Sequence, residues 1–257
     1  MPEGHTLHGL ARDHRRDLRA GPVAASSPQG RFADGAARLD GRTLLRADAH
    51  GKHLFHTFDS GDVLHVHLGL IGKWRPTPAS QPPVGAVRLR LSSNGHAWDL
   101  SGPQSCELLT PEEADRITAL LGPDPLRRNA DPERFVHAVS NTKNPVGAVL
   151  LDQRVVAGIG NVYRAELLFL HGIHPATPGA GIDADILSAL WRTMVEQLRA
   201  GLRRGRIVTT LAADRHTRDD RLYAYRREGL PCLRCGTPIV GMPLGGRRTW
   251  FCPACQR

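Results

Sequence analysis

Apolar residues recur at a helical interval at the start of the chain. Leu7, Leu10, Ala11, His14 and Leu18 fall toward one side, with Arg12, Arg15, Arg16 and Arg19 toward the other. The spacing predicts an amphipathic helix over residues 2–18. From Pro22 to about Leu109 the period shortens. Stretches 42–50 and 52–58 flank Gly51, and 63–68 follows the turn signal Asp59-Ser60-Gly61-Asp62. Residues 87–91 alternate strictly, and Ser92-Ser93-Asn94-Gly95 separates them from 96–100. Short strands at this interval predict a sandwich or barrel. Alternation along 52–58 puts Lys52 on the face of Leu54, His56 and Phe58. The Pro-rich, polar stretch 72–85 reads as a loop.

At Thr110 the pattern turns helical. Thr110-Pro111-Glu112-Glu113 has the capping-box arrangement, Asp131-Pro132-Glu133 starts a second helix, and Asn144-Pro145 a third. Over 182–200, Ile182, Ile186, Leu187, Leu190, Met194 and Leu198 form one stripe that reads as core. From Gly229 onward, strand-like pieces surround cysteines. No internal repeat is visible. The expected architecture is α+β and multi-domain. A leading helix and β-sandwich occupy 1–109, a helical domain 110–228, and a cysteine-bearing hairpin 229–257.

Composition adds little to the fold but much to the partner. The 40% apolar content of 257 residues permits a packed core. No signal sequence and no apolar run of 18 residues are present, so a soluble, intracellular chain away from membranes is expected. The formal charge of +9 is one-sided. Residues 1–198 hold 21 Lys+Arg against 21 Asp+Glu, whereas 199–257 hold 13 Arg against 4 acids. Four thiolates and one Zn²⁺ there would lower the tail to about +7. Solubility tuning is the competing explanation, since Arg outnumbers Lys 31 to 3. A uniform bias would not leave the first 198 residues neutral, so the field points to a polyanion, nucleic acid above all.

Three motifs carry candidate chemistry. Four of the five cysteines stand as Cys232-x2-Cys235-x16-Cys252-x2-Cys255, a spacing suited to tetrahedral S₄ coordination. Four protein ligands leave no open position, so one structural zinc is expected. Between the pairs, 238–241 and 249–251 can form a hairpin with Arg247 and Arg248 at its tip or on its second arm, able to meet phosphate. At the other end stands Met1-Pro2-Glu3. Removal of Met1 would make Pro2 a terminal secondary amine with a pKa of about 8, nucleophilic near neutral pH and flanked by an acid. Pro and Glu also serve simply to start helices. Third, residues 144–166 read as a short helix, a double turn with Gly158 and Gly160, and a second helix opened by Asn161. Its amides could hold phosphate, or Asn161 could be an N-cap alone.

Pro2-Glu3, Lys52 after Gly51, the segment ending Gly158-Ile159-Gly160-Asn161, and the terminal Cys252-Pro253-Ala254-Cys255-Gln256 together resemble the formamidopyrimidine-DNA glycosylase/endonuclease VIII family. The resemblance runs from residue 1 to 256, and the start Pro2-Glu3-Gly4 is similar to the endonuclease VIII branch. It implies an N-terminal β-sandwich, a C-terminal helix–two-turn–helix domain with a zinc finger, and damaged duplex DNA in the cleft between. It implies a monomeric bifunctional DNA glycosylase and abasic-site lyase of base-excision repair with no small-molecule cofactor, acting on oxidised bases, pyrimidines in this branch. Pro2 would attack C1′ of a flipped nucleotide and expel the base, and β/δ-elimination would cut the strand. Glu3 would move protons, and Lys52 would contact phosphate and assist elimination. Asn161 and Arg247 match the pair that grips the phosphate flanking the lesion; Arg247 stands five residues before Cys252, as the family arginine does. Arg154 matches a basic position on the two-turn segment. The branch carries a Gln-Leu-Tyr wedge where this chain reads Gly69-Leu70-Ile71, so Leu70 keeps the apolar plug without the amide or the ring. Cys106 matches no family role and reads as a small core residue. A non-catalytic zinc-dependent DNA-binding protein and a protein that is mainly an abasic-site lyase are the competing readings.

Overall fold

The computed structural model describes residues 2–19 and 21–257. Two compact units are present, the first ending at Leu120 and the second spanning Leu121–Arg257.

The first unit opens with helix α1, Gly4–Leu18. Leu7, Ala11, His14 and Leu18 are buried, and the four arginines lie toward solvent. The helix begins two residues later than its periodicity predicts. Pro2 has no amide hydrogen, and Glu3 keeps an extended backbone (φ −128°, ψ 177°) at the N-cap. Met1, whose removal the chemistry of Pro2 requires, lies outside the described residues.

After β1 (Pro22–Ser26) and a short helix α2 (Ala33–Leu39) come β2 (Arg42–His50), β3 (His53–Phe58), β4 (Val63–His67) and β5 (Lys73–Pro78). Then follow β6 (Val87–Ser93), β7 (His96–Ser101) and β8 (Ser105–Leu109). Neighbours are antiparallel in the order β5-β7-β6-β1-β2-β3-β4-β8. Strand β1 belongs to both halves. Pro22 and Val23 pair with β2, and Ala24, Ala25 and Ser26 pair with β6. One core holds Leu54, Leu64 and Val66 from one half with Leu89, Leu91 and Leu100 from the other, so the halves face each other as a sandwich. Helix α1 packs on β2, β3 and β6. Trp98 Nε1–H donates to Asp17 Oδ2 at 3.1 Å, tying that helix to β7.

The 72–85 stretch, expected to be a loop, contains β5. This strand pairs only with β7 and forms an edge, where Pro76 and Pro78 need not supply a hydrogen to a further neighbour. Helix α3 (Pro111–Ala119) has the expected capping box, with Thr110 and Glu113 exchanging bonds. Its Ala114 and Ile117 cover Phe55 and Val63. Cys106 packs against the main core, and burial pushes its thiol up to about 12, as an inert core residue requires.

Histidines are an unusual part of this interior. His14 Nδ1 and His56 Nε2 lie 2.7 Å apart, fully buried between Trp74 and Trp98. Burial holds His14 well below the usual range and His56 at about 4; it lowers His5 to about 4 and His53 to about 3. Unfolded histidines titrate near 6.5. Between roughly pH 4 and 6.5 the unfolded chain therefore binds protons that the folded chain refuses. Stability is full above pH 6.5 and falls on acidification, at up to about 1.4 kcal/mol per pH unit for each such histidine. Urea unfolding at pH 7.5 and pH 5 is expected to show a markedly lower midpoint at pH 5, and equal midpoints contradict the burial.

The second unit contains α4 (Pro132–Ser140), α5 (Val146–Val149), α6 (Asn161–Leu170), α7 (Ala184–Arg204) and the hairpin β9 (Val240–Leu244) and β10 (Arg247–Phe251). Asp131 caps α4 as expected. The helix read from Asn144-Pro145 is a single turn with Pro145, not Asn144, at its cap. On α7 the stripe is buried except at Ile186, which is 44% exposed; Trp191 fills the core instead. Helix α6 is buried on every side, which its mixed sequence does not advertise. Among the described residues no helix is long and apolar enough to cross a membrane.

Candidate active site and nucleic-acid interface

Pro2 lines a cavity of about 260 Å³ with Thr6, Leu70, Ile71, Lys73 and Trp74 among its walls. Glu3, immediately behind, is fully buried, and its carbonyl accepts the first turn's bond from Thr6 N–H at 2.8 Å. The N-terminal end of α1 thus places Pro2 at an apolar pocket with buried Glu3 beside it, so removal of Met1 would put an imino nitrogen there.

Leu70 and Ile71 are 59% and 76% exposed, on a tight turn closed by Gly72 N–H to Leu68 O at 3.0 Å. A side chain at 72 would meet the Leu68 carbonyl oxygen at 2.3 Å, so glycine is required for the turn that projects Leu70. Lys73, assigned to a loop by sequence pattern, sits on β5 in the same cavity as Pro2.

Lys52 is not on a strand. Gly51 adopts φ +57°, and Gly51-Lys52 form the two-residue turn between paired His50 and His53. The lysine's charge helps lower His53 and His67, and as a turn residue it belongs to neither face of the strand. Alternation failed there because it was counted through the turn.

In the second unit Asn161 is the first residue of α6, and Gly160 is the N-cap. Its side chain caps nothing. Nδ2–H donates to Arg248 O at 3.0 Å, and Oδ1 accepts from Arg164. Arg164 is fully buried and also donates to Gly147 O, Leu244 O and Arg248 O, at 3.1, 3.1 and 3.0 Å. This one guanidinium binds α5, α6 and the β9–β10 hairpin into a unit. Sequence reasoning passed over it; the signal was a pair of charged residues, Arg164 and Glu166, two apart in a largely apolar helix. A second such anchor is buried Glu166, which accepts from the amides of Tyr223, Ala224 and Tyr225 and from Thr209.

The hairpin turns at Gly245-Gly246, with Arg247 opposite Leu244 at the tip. Arg248 is held by Glu228 through two bonds. Arg247 is exposed, and among the described residues no acid engages it. Arg154 is 77% exposed and ion-paired to Asp152 at 2.7 Å. The two hairpin arginines, equivalent by sequence, therefore differ: Arg247 is available to a phosphate and Arg248 is engaged.

The four hairpin-flanking cysteines place their Sγ atoms within 4.8 Å of one another. Contacts of 4.0 Å (Cys232–Cys255), 3.5 Å (Cys235–Cys252) and 3.5 Å (Cys235–Cys255) approach the about 3.8 Å edge of a tetrahedron with 2.3 Å Zn–S bonds. The donor set fits one structural zinc and leaves no open position. Cys252 N–H donates to Gln256 Oε1, whose amide donates to Ile173 O, fixing the second knuckle on the helical core.

Comparison with known proteins shows the family of the chain. Residues 1–105 match the formamidopyrimidine-DNA glycosylase N-terminal domain, 121–213 the formamidopyrimidine-DNA glycosylase H2TH domain, and 229–257 the zinc finger found in FPG and IleRS. The chain is 48% identical to endonuclease 8 1 of Mycobacterium tuberculosis over the full length of both. It is 37% identical to the formamidopyrimidine-DNA glycosylase of Gloeobacter violaceus, over 80% of this chain and 77% of that one. Among solved structures, the complex between the Lactococcus lactis Fpg and an abasic site containing DNA superposes with a TM-score of 0.82 at 22% identity, covering 99% of both chains. At that identity the likeness carries the fold.

Proposed function

This chain belongs to the formamidopyrimidine-DNA glycosylase/endonuclease VIII family, and from that premise we propose that it is a bifunctional DNA glycosylase and abasic-site lyase acting on oxidised bases, pyrimidines foremost. The observation that carries the reading is Pro2 at an apolar-walled cavity with buried Glu3 behind it. The unprotonated Pro2 nitrogen attacks C1′ of a nucleotide turned out of the duplex. The C1′–base bond breaks, the base leaves with a proton, and an iminium links Pro2 to the opened sugar. Loss of a C2′ proton expels the 3′ phosphate, and a second elimination expels the 5′ phosphate. Glu3 moves the protons at the sugar. Lys52 contacts phosphate and assists elimination, and Leu70 fills the space the nucleotide leaves.

Residues 1–120 carry this chemistry, because α3 packs on the sheet and moves the boundary expected at 109 to Leu120; 121–228 and the 229–257 finger hold the backbone, and zinc keeps the finger folded. The partner is damaged duplex DNA. The enzyme works as an intracellular monomer without a small-molecule cofactor. Asn161 and Arg247 grip phosphate, with Arg154 contributing from the two-turn segment. Phosphate contacts carry no base information, so Arg247→Ala is expected to weaken binding to every sequence alike. It should also flatten the slope of log K against log salt by about 0.9. An unchanged slope in a salt titration removes Arg247 from the interface.

A mainly lyase role is favoured by Gly69-Leu70-Ile71, which lacks the amide and ring of the branch's wedge. Excision assays on a panel of oxidised bases beside a plain abasic site separate the two: cleavage of the abasic site alone selects the lyase. A protein that only binds DNA forms no borohydride-trapped adduct with either.

A further inference from the structure

The outward face of β3, β4 and β8 carries a second histidine cluster that the chemistry above does not use. Register sets His53 opposite His67, Phe55 opposite His65, and His65 opposite Glu107. A carboxylate only accepts, so the 2.9 Å bond to Glu107 Oε1 is donated by His65 Nδ1–H. Neutral His65 then has its lone pair at Nε2, and the 2.8 Å bond there is donated by His53 Nδ1–H. His53 is left an acceptor at Nε2. The rings cannot turn freely: His53 and His65 stack at 5.1 Å and 12°, and His65 stacks on Phe55 at 5.1 Å. His67 stands outside this chain of bonds, because its Nδ1 accepts from Gly69 N–H.

One end of the chain is solvent: the Glu107 side chain is 51% exposed, against 4% for His65. The other end is the residue after Lys52, in the pair that closes the Lys52 turn. Burial above all, with the Lys52 charge nearby, keeps His53 neutral and its acceptor intact.

We infer that Glu107, His65 and His53 form a hydrogen-bonded relay that holds the turn carrying Lys52 in place during strand cleavage. The inference rests on the role given to Lys52 above. Glu107 sets the tautomer of both rings from the exposed end, as the acid of a catalytic triad sets its histidine.

Long-range ¹H–¹⁵N spectra of the full chain test the geometry, with His65→Phe used to assign the signals. Both His65 and His53 are expected as Nδ1–H tautomers. Glu107→Gln changes one charge at the surface. It is expected to lower kcat for cleavage of DNA carrying a preformed abasic site by about tenfold. KM, melting temperature and the rate of borohydride trapping should stay as in the wild type. His65→Phe, which keeps the ring on Phe55, is expected to do the same. Nε2–H tautomers at both rings overturn the relay, as does wild-type cleavage by both variants or a loss of trapping in step with cleavage. Failure of the wild type itself to be trapped counts against the glycosylase reading, and the tautomers then decide the relay on their own.

Discussion

A tag placed ahead of Pro2, holding its nitrogen in a peptide bond, is expected to abolish the borohydride-trapped adduct. It should slow both base excision and strand cleavage by about 10³-fold or more. An amide nitrogen has no lone pair to give, so the covalent route closes while every side chain stays in place. A thousandfold loss is about 4 kcal/mol of transition-state stabilisation, far more than a disturbed surface contact costs. DNA affinity is expected to change little, because the phosphate contacts are assigned to Arg247, Asn161 and Arg154, of which Arg247 lies at a hairpin tip. Gel-shift affinity and single-turnover excision, measured on the same preparation, check both halves. An extended protein that still excises bases at the untagged rate removes Pro2 as the nucleophile.

What the sequence made legible follows from the range over which each signal acts. The capping box at Thr110 and the Asp131 cap are local, and both stand as read. The zinc ligands were legible because coordination demands a spacing that nothing else requires. Strand β5 was not, since its prolines are acceptable only at a sheet edge, and edge position is a property of the whole ladder. Lys52 was counted into the strand because alternation does not register the turn that a positive φ at Gly51 makes. Asn161 looked like a cap because caps favour that residue type. The partner that claims its side chain, Arg248 O, lies 87 residues away. Nor does sequence separate Arg247 from Arg248; Glu228, 20 residues upstream, does so by engaging Arg248.

Removal of zinc is the second large effect. Chelation, or Cys252→Ser, is expected to melt the β9–β10 hairpin, because a structural S₄ site contributes on the order of 10 kcal/mol to so small a module. Arg247 then loses its fixed position, and Arg164 and Asn161 lose the Arg248 carbonyl that they share. DNA affinity is expected to fall by about 100-fold or more, and readdition of zinc to the chelated wild type to restore it. Metal analysis should return one zinc per chain. A zinc-free protein that binds DNA as tightly as the native one contradicts this role.

Everything depends on which nitrogen forms the bond to the sugar. Once Met1 is removed, the chain offers the secondary amine of Pro2 and three lysine amines, at 52, 73 and 143, and Lys73 lines the same cavity as Pro2. Borohydride trapping on abasic-site DNA, followed by protease digestion and mass mapping of the adduct, distinguishes them. The account predicts the reduced sugar on a peptide that begins at Pro2. An adduct on Lys52, Lys73 or Lys143, or none at all, contradicts it.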